Sequence, residues 1–394
     1  MKKCFVTFAA TVMLNLLAWF SPAFCDFYVE KIFPLWGKTY GRLTGIFPMS
    51  VGEYMIEGFL VMLLLAVLLG VTAVIFLLAG KICKRFGFIF GIKDRTIRFC
   101  LKYCKIYYKA MAYLLTAVFL ILTLNCFILY HAPSFSKKYM DENTEEYSIE
   151  ELAEVRDFVV TRVNSYAKMM DRDENGLIIY DKNMEDEAVY AMKILGKKYA
   201  RLDGEYSLPK KIRHSDFLSQ QYIKGYYFPF SLEANYNDVM YISSKPATMC
   251  HELAHTKGFM YEDDANFIAF LACINSDDIF FQYSGYLSVL PYLDKDFKDS
   301  LDGDMECYNS HVKISSQVKK DRAFLTEDAW TKVEKKAVFK TSAVTKATDN
   351  FLNTTLVMNG VKEGTASYSD VVELLMKMYE TEEYVEFCKV EEEQ

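Results

Sequence analysis

Three long apolar runs occupy the first third of the chain, and polar stretches with apolar residues at helical spacing fill the rest. Residues 4–25 carry no charge and come directly after Lys2 and Lys3. This run reads either as a first transmembrane helix or as a signal peptide, because "SPAFC" places Ala23 and Cys25 where small residues precede a cleavage site. Residues 58–80 ("GFLVMLLLAVLLGVTAVIFLLAG") and 110–130 ("AMAYLLTAVFLILTLNCFILY") are the other two spans. Each run matches the ~20 residues needed to cross the hydrocarbon core. The loop between them, 81–109, holds nine Lys/Arg and one acid, Asp94, whereas 26–57 holds only Lys31, Lys38 and Arg42 as cations. Basic loops stay cytoplasmic, so the third span is predicted to deliver everything after His131 to the outer face. The 26–57 loop, with Trp36, Tyr40, Pro34 and Pro48, predicts a short interfacial element.

Beyond the spans, 132–147 predicts a polar linker, and 148–394 a domain. Ser148 and Glu151 stand at capping-box spacing before a helical apolar period, and 187–202 predicts a second helix. "GYYFPFSLEANYNDVMYIS" (225–243) is aromatic and partly alternating, which predicts one or two strands. Pro246 opens a further helix, followed by helical patterns at 267–275, 321–340, 342–358 and 367–379. The fold class is therefore α+β: three N-terminal transmembrane helices, then a mostly helical domain with a small sheet.

Charge divides with this architecture. Residues 1–131 carry fourteen Lys/Arg and five Asp/Glu, and 132–394 carry thirty-one and forty-seven. An acidic domain behind a basic membrane segment excludes nucleic acid as the expected partner and leaves the lipid bilayer. The ten cysteines include no CxxC pair, which argues against a structural zinc knuckle. Cys250 and Cys273 lie in apolar patterns and read as buried free thiols, with Cys307 and Cys388 the other two of the domain.

The chemistry concentrates in "CHELAHTKGFMYEDDANFIAFLAC" (250–273). His251, Glu252 and His255 form HExxH. On a helix, residues four apart share a face, so both imidazoles can reach one zinc ion while Glu252 takes a proton from the water that the metal activates. Gly258 can end this helix in a left-handed turn. Glu262, Ala265, Asn266 and Ala269 then share a face at i, i+3, i+4 and i+7. Two alanines allow close approach of the helices, Glu262 becomes the third ligand, and Asn266 can orient a ligand from one turn on. Asp263 and Asp264 read as acids favoured at a helix N-terminus.

The chain resembles a bacterial membrane-protein family of unknown function with a zincin motif. The resemblance rests on "FPMSVGE" (47–53), "PFSLEANYND" (229–238), residues 249–273, "YSGYL" (283–287) and "MNGVKEGTASYSDVVELL" (358–375). The E-x-x-A-N-F arrangement at 262–267 also resembles gluzincin metallopeptidases, in which a glutamate on the helix after HExxH is the third zinc ligand. That resemblance implies a zincin-like fold, Glu262 as ligand and Asn266 behind it. Six residues separate His255 from Glu262, a short interval for a gluzincin, so Asp264 stays as the alternative.

Around the site, the 225–243 strands are either an edge for extended peptide or plain core. Glu233 either orients a substrate amine or braces the sheet. Tyr283 and Tyr286 are candidate oxyanion donors, although among 28 tyrosines packing is the plainer reading of each. His214 and His311 read as surface residues. The expected function is a membrane-anchored zinc metallopeptidase, with Glu252 as base and peptides or envelope proteins as substrates. The alternatives are a non-catalytic zinc-binding sensor or scaffold, and a zinc hydrolase of non-peptide envelope material.

Overall fold

The computed structural model describes residues 2–86, 94–140, 147–358 and 370–379. The middle of the basic loop, the acidic stretch of the expected linker, Cys388 and most of the 358–375 motif lie outside these described residues.

The apolar runs form helices α1 (Lys2–Phe20), α2 (Val51–Phe86) and α3 (Asp94–Leu122), the last continuing through a π turn at Thr123–Phe127 to Tyr130. All three are long and apolar enough to cross a membrane. The first ends at Phe20, five residues short of the expected boundary, because Ser21 caps a new helix with Pro22 in its first turn. The second begins seven residues before Gly58, and its extra turns carry Glu53 and Glu57. Polar pairs join α1 to α3. The Asn15 side chain donates to Thr123 Oγ1 (2.7 Å), and Cys4 Sγ lies 2.9 Å from Thr116 Oγ1. Such bonds hold helices together where lipid gives no hydrophobic drive.

The 26–57 loop is mostly helical. A chain of short helical pieces runs from Pro22–Phe27 to Arg42–Gly45 and is interrupted by π turns at Tyr28–Ile32 and Gly37–Gly41. This bridging helix joins α1 to α2. Its Tyr28, Val29 and Phe33 are buried in a small core with Ile128, Leu129, Leu232 and Met260. The expected linker is partly core as well: Phe135 is fully buried against Tyr139, Tyr199, Phe259 and Phe267. Burying such a side chain contributes roughly 1.5–3 kcal/mol, more than a free linker would forgo.

The domain begins with α4 (Ile149–Met169), opened by the expected capping box of Ser148 and Glu151, and α5 (Met184–Gly196). Three short strands come next: β1 (Lys210–Ile212), β2 (Gly225–Phe228) and β3 (Glu233–Asn237), in the order β1-β3-β2. β1 is parallel to β3 and β2 antiparallel, with Gly225 opposite Tyr236 and Phe228 opposite Glu233. The longer helices that follow are α6 (Lys245–His255), α7 (Glu262–Ile274), α8 (Ile279–Ser300), α9 (Glu327–Lys336), α10 (Thr341–Met358) and α11 (Asp370–Tyr379), with short helices at Ser215–Ser219, between β1 and β2, and at Met305–Ser310 and Ser316–Asp321. The fold is mostly helical with one small sheet. α7 extends from Glu262, ahead of the 267–275 pattern, and of the expected 321–340 helix only Glu327–Lys336 forms, as α9 capped by Thr326, while Asp321 ends the short helix Ser316–Asp321. No sequence signal announced α8, and Pro291 lies within it. An interior proline is a breaker by itself, and extensive packing of α8 on α4 and α7 overrides it here. Cys250 and Cys273 are buried free thiols with Sγ atoms 3.9 Å apart.

Candidate metal centre

α6 and α7 pack closely, and Ala265 and Ala269 are buried between them and their neighbours. Pro246 sits in the first turn of α6. Gly258 comes after its end with φ +88°, which turns the chain back so that α7 starts a few residues later. The result brings His251, His255 and Glu262 together. His251 Nε2 is 3.1 Å from His255 Nε2 and 3.2 Å from Glu262 Oε2, and His255 Nε2 is 3.8 Å from Glu262 Oε1. Among the described residues this is the one group of three or more His, Cys, Asp or Glu whose ligand atoms converge in this way.

The outer nitrogens fix the tautomers. His255 Nδ1 lies 2.6 Å from the Phe259 carbonyl, which can only accept, so Nδ1 donates. His251 Nδ1 donates likewise to Asn266 Oδ1 (2.9 Å). Each neutral ring therefore turns a bare Nε2 lone pair inward, onto a carboxylate. Three electron-pair donors that face one another call for a positive charge between them, supplied by a proton or by a metal cation. Ligands about 2.0–2.1 Å from a tetrahedral zinc stand roughly 3.3 Å apart; the two imidazole nitrogens match this, and one Glu262 oxygen lies within 4.8 Å of both. The residues fit zinc.

Without a cation, the electrostatics place the positive charge on His251, beside the Glu262 carboxylate, and leave His255 neutral. Burial, reinforced by the neighbouring His251, lowers the His255 pKa to about 4 and keeps the ring neutral. For Glu262, burial works towards the neutral acid, yet the two imidazoles outweigh it and lower the carboxyl to about 2. Burial likewise opposes charge on His251, and the Glu262 carboxylate overcomes it and raises that pKa.

Glu252 is only 4% exposed, and its Oε2 has no hydrogen-bond partner. Burial raises its pKa to about 8. Its other oxygen rests on the backbone of β2: a Cβ at Gly225 would come within 2.6 Å of Glu252 Oε1 and 2.7 Å of the Asn235 carbonyl. Only glycine leaves room there. Gly225 is not conspicuous in the sequence, although a glycine opening an aromatic strand does signal a close backbone approach.

The remaining candidates go elsewhere. Asp264 is buried and points away from the imidazoles, accepting from the Phe135 backbone N–H (2.8 Å). Tyr283 donates to Asp321 (2.7 Å) in the core, and Tyr286 packs against Tyr166, Phe158 and Phe270. Neither faces the metal group, because α8 presents both to the interior. Glu233 does not meet a substrate position either. It pairs with buried Lys210 and accepts from Ser231 Oγ (2.6 Å) and the backbone N–H groups of Val51 (3.2 Å) and Gly52 (2.9 Å). A carboxylate there caps the exposed N–H groups at the start of α2. His214 pairs with Glu57 and His311 with Asp157 at the surface.

Residues 28–376 match a family described as "Protein of unknown function (DUF3810)". The chain belongs to that family. No curated protein and no solved structure matches it. The match covers the bridging helix from Tyr28 onward, all of α2 and α3, and the metal group together. Two of the three candidate spans and the candidate site thus fall within one family match.

Proposed function

We propose that this chain is a membrane-anchored zinc metallopeptidase with a zincin-like domain. The observation that carries the reading is the convergence of His251 Nε2, His255 Nε2 and a Glu262 carboxylate oxygen, with the unpartnered Glu252 carboxyl beside them. Zinc, when bound, supplies a Lewis acid and an acidified water. The chain's own residues do the rest. His251 and His255 keep their tautomers through Asn266 and the Phe259 carbonyl. Glu252, buried beside the ligands with no partner at Oε2, accepts a proton and later returns it to the leaving amine. Extended substrate adds to the outer edge of β2, which among the described residues pairs with β3 alone. Glu252 separates this reading from a zinc-binding sensor or scaffold, which needs the three ligands but no buried, unpaired carboxyl. The same geometry serves a hydrolase of non-peptide envelope material, and a substrate screen separates the two. The nine cations of 81–109 support a catalytic domain on the outer face of the cell membrane.

The test is zinc stoichiometry and peptide hydrolysis on the purified full chain. Glu252→Gln preserves shape and removes the base, so zinc is expected to stay while turnover falls by ~10²–10⁴-fold. Loss of zinc in that variant, or undiminished hydrolysis, removes the peptidase reading.

A further inference from the structure

We infer that the metal centre works at the membrane surface, on polypeptide anchored in the same membrane and cut close to its anchor. The substrate class rests on the peptidase reading; the placement does not. Three contacts join the site to the spans with a single layer of residues between them. The Tyr261 hydroxyl, next to Glu262, donates to the carbonyl of Tyr130 at the end of α3 (2.8 Å). The Tyr227 ring is 6.2 Å from the His255 ring, and its hydroxyl donates to the Asn125 carbonyl (3.3 Å). The Asn125 side chain in turn donates to the carbonyl of Pro229, at the tip of the β2–β3 hairpin (2.8 Å). Asn125 lies five residues inside the end of the α3 span, a depth of about 7 Å at 1.5 Å per residue. The tip "FPF", with Phe228 and Phe230 in ring contact, is therefore held at or below the level where α3 leaves the bilayer. Phe228 also lies against Gly52 in the first turn of α2.

The bridging helix fixes the same plane. Its inner side supports the metal turn: Val29 and Phe33 lie 3.1 and 3.6 Å from where a Gly258 Cβ would stand, and Thr44 donates to the Ser231 carbonyl (2.6 Å). Outward it exposes Phe27, Leu35, Trp36 and Leu43, and the turn after it exposes Ile46 and Phe47, among the exposed cations Lys31, Lys38 and Arg42. Both ends of this helix run directly into spans, α1 at Phe20 and α2 at Val51, so the occupant of that apolar side is the lipid surface itself. Cations beside it suit anionic headgroups.

β2 then becomes a ruler. Gly225 touches Glu252, and Pro229 is at the depth of Asn125, four residues or about 13 Å further along. A substrate strand lying on the outer edge of β2 runs between the bilayer and the base, and its scissile bond falls within about four or five residues of membrane level. A peptide without an anchor has no element that brings it to this position.

The full chain is reconstituted into vesicles of phosphatidylethanolamine and phosphatidylglycerol, with Glu252→Gln as the blank. A mixed-sequence set of 30-residue reporter peptides is supplied with an acyl anchor at either end, and the same set without anchors. Cut sites are mapped by mass spectrometry. Cuts are expected to cluster within about ten residues of the anchor, with unanchored reporters cut at least about tenfold more slowly. Membrane enrichment of the reporters alone would speed cleavage without clustering it. Cuts spread evenly along anchored reporters, or equal cleavage of free ones, overturn the inference and leave the peptidase reading standing. No cleavage in either set, with zinc bound, overturns the peptidase reading and the substrate class with it. Placement is then decided separately by a W19F/W330F variant that keeps Trp36, in vesicles of lipid brominated near the headgroup or deep in the acyl chain. Shallow bromines are expected to quench Trp36 more strongly, and absence of quenching by either refutes the surface placement.

Discussion

At the residue scale, the decisive arrangement is the bonding of each polar atom in the metal group. His251 and His255 hold acceptors at Nδ1, Glu262 faces both Nε2 atoms, and Asp264 is taken by the Phe135 backbone. Glu262→Ala is therefore expected to abolish stoichiometric zinc binding, whereas Asp264→Asn keeps an acceptor for Phe135 N–H and retains zinc. Competition against a chelating dye measures both, and the opposite pattern would assign the third ligand to Asp264. Asn266→Ala removes only the orientation of His251, and a loss of about 10–100-fold in zinc affinity is expected.

At the scale of elements, two junctions carry the site. The first is the turn between α6 and α7. Gly258 has φ +88°, and a Cβ there would stand 3.1 Å from Val29 Cγ1 and 3.2 Å from Arg201 Nη2. Gly258→Ala is expected to cost at least roughly 1–2 kcal/mol from backbone conformation alone, seen as a lowered Tm together with weaker zinc binding. The second is the seat of α2 on the sheet, where Glu233 neutralises Lys210 and caps the helix. Glu233→Ala leaves a buried ammonium without its partner, for which about 3–5 kcal/mol of destabilisation is expected in detergent. If Glu233 instead served substrate, hydrolysis would fall in that variant with the Tm unmoved.

At the scale of the whole molecule, the domain is not tethered to the bundle but built onto one end of it. Phe20, Val51 and Tyr130 all meet the domain or its bridging helix there: α1 runs from Phe20 straight into the bridging helix, with Trp19 packed at a tilt against His131 (4.7 Å), Val51 reaches Glu233, and Tyr130 reaches Tyr261. The basic loop lies between α2 and α3, at the far end of those spans. Residues 132–394 are expected on the side of the membrane opposite that loop, the outer side. Single cysteines placed at exposed positions such as Lys197 and Lys295 are expected to react with an impermeant maleimide added to intact cells. Labelling only after lysis would reverse the orientation. Chelation is expected to lower the Tm of the whole chain, because a cation bound only by the folded state stabilises it.

The order of chemistry along the chain was legible because it depends on local periods. Runs of apolar residues longer than 20 have one common use, Ser148 and Glu151 cap the helix that begins beside them, and a spacing of four puts His251 and His255 on one face wherever that helix lies. The choices that spacing left open were decided by packing. Glu262 and Asp264 are both acids in the first turn of α7, and only the placement of Phe135 and the Gly258 turn sends one to the imidazoles and the other to a backbone amide. Tyr283, Tyr286 and Glu233 carry groups suited to a site, yet each is spent on partners distant in sequence: Asp321, an aromatic cluster, and Lys210 with the start of α2. Helix α8 contradicts its own proline for the same reason. The sequence by itself determined the spans, the helical class and the HExxH face, since each arises from contacts within a few residues. Tertiary structure alone decided the third acid, the glycine under Glu252 and the seating of the site on the membrane helices. Those rest on contacts between residues far apart in the chain, such as Asn125 with Pro229, which no local period encodes.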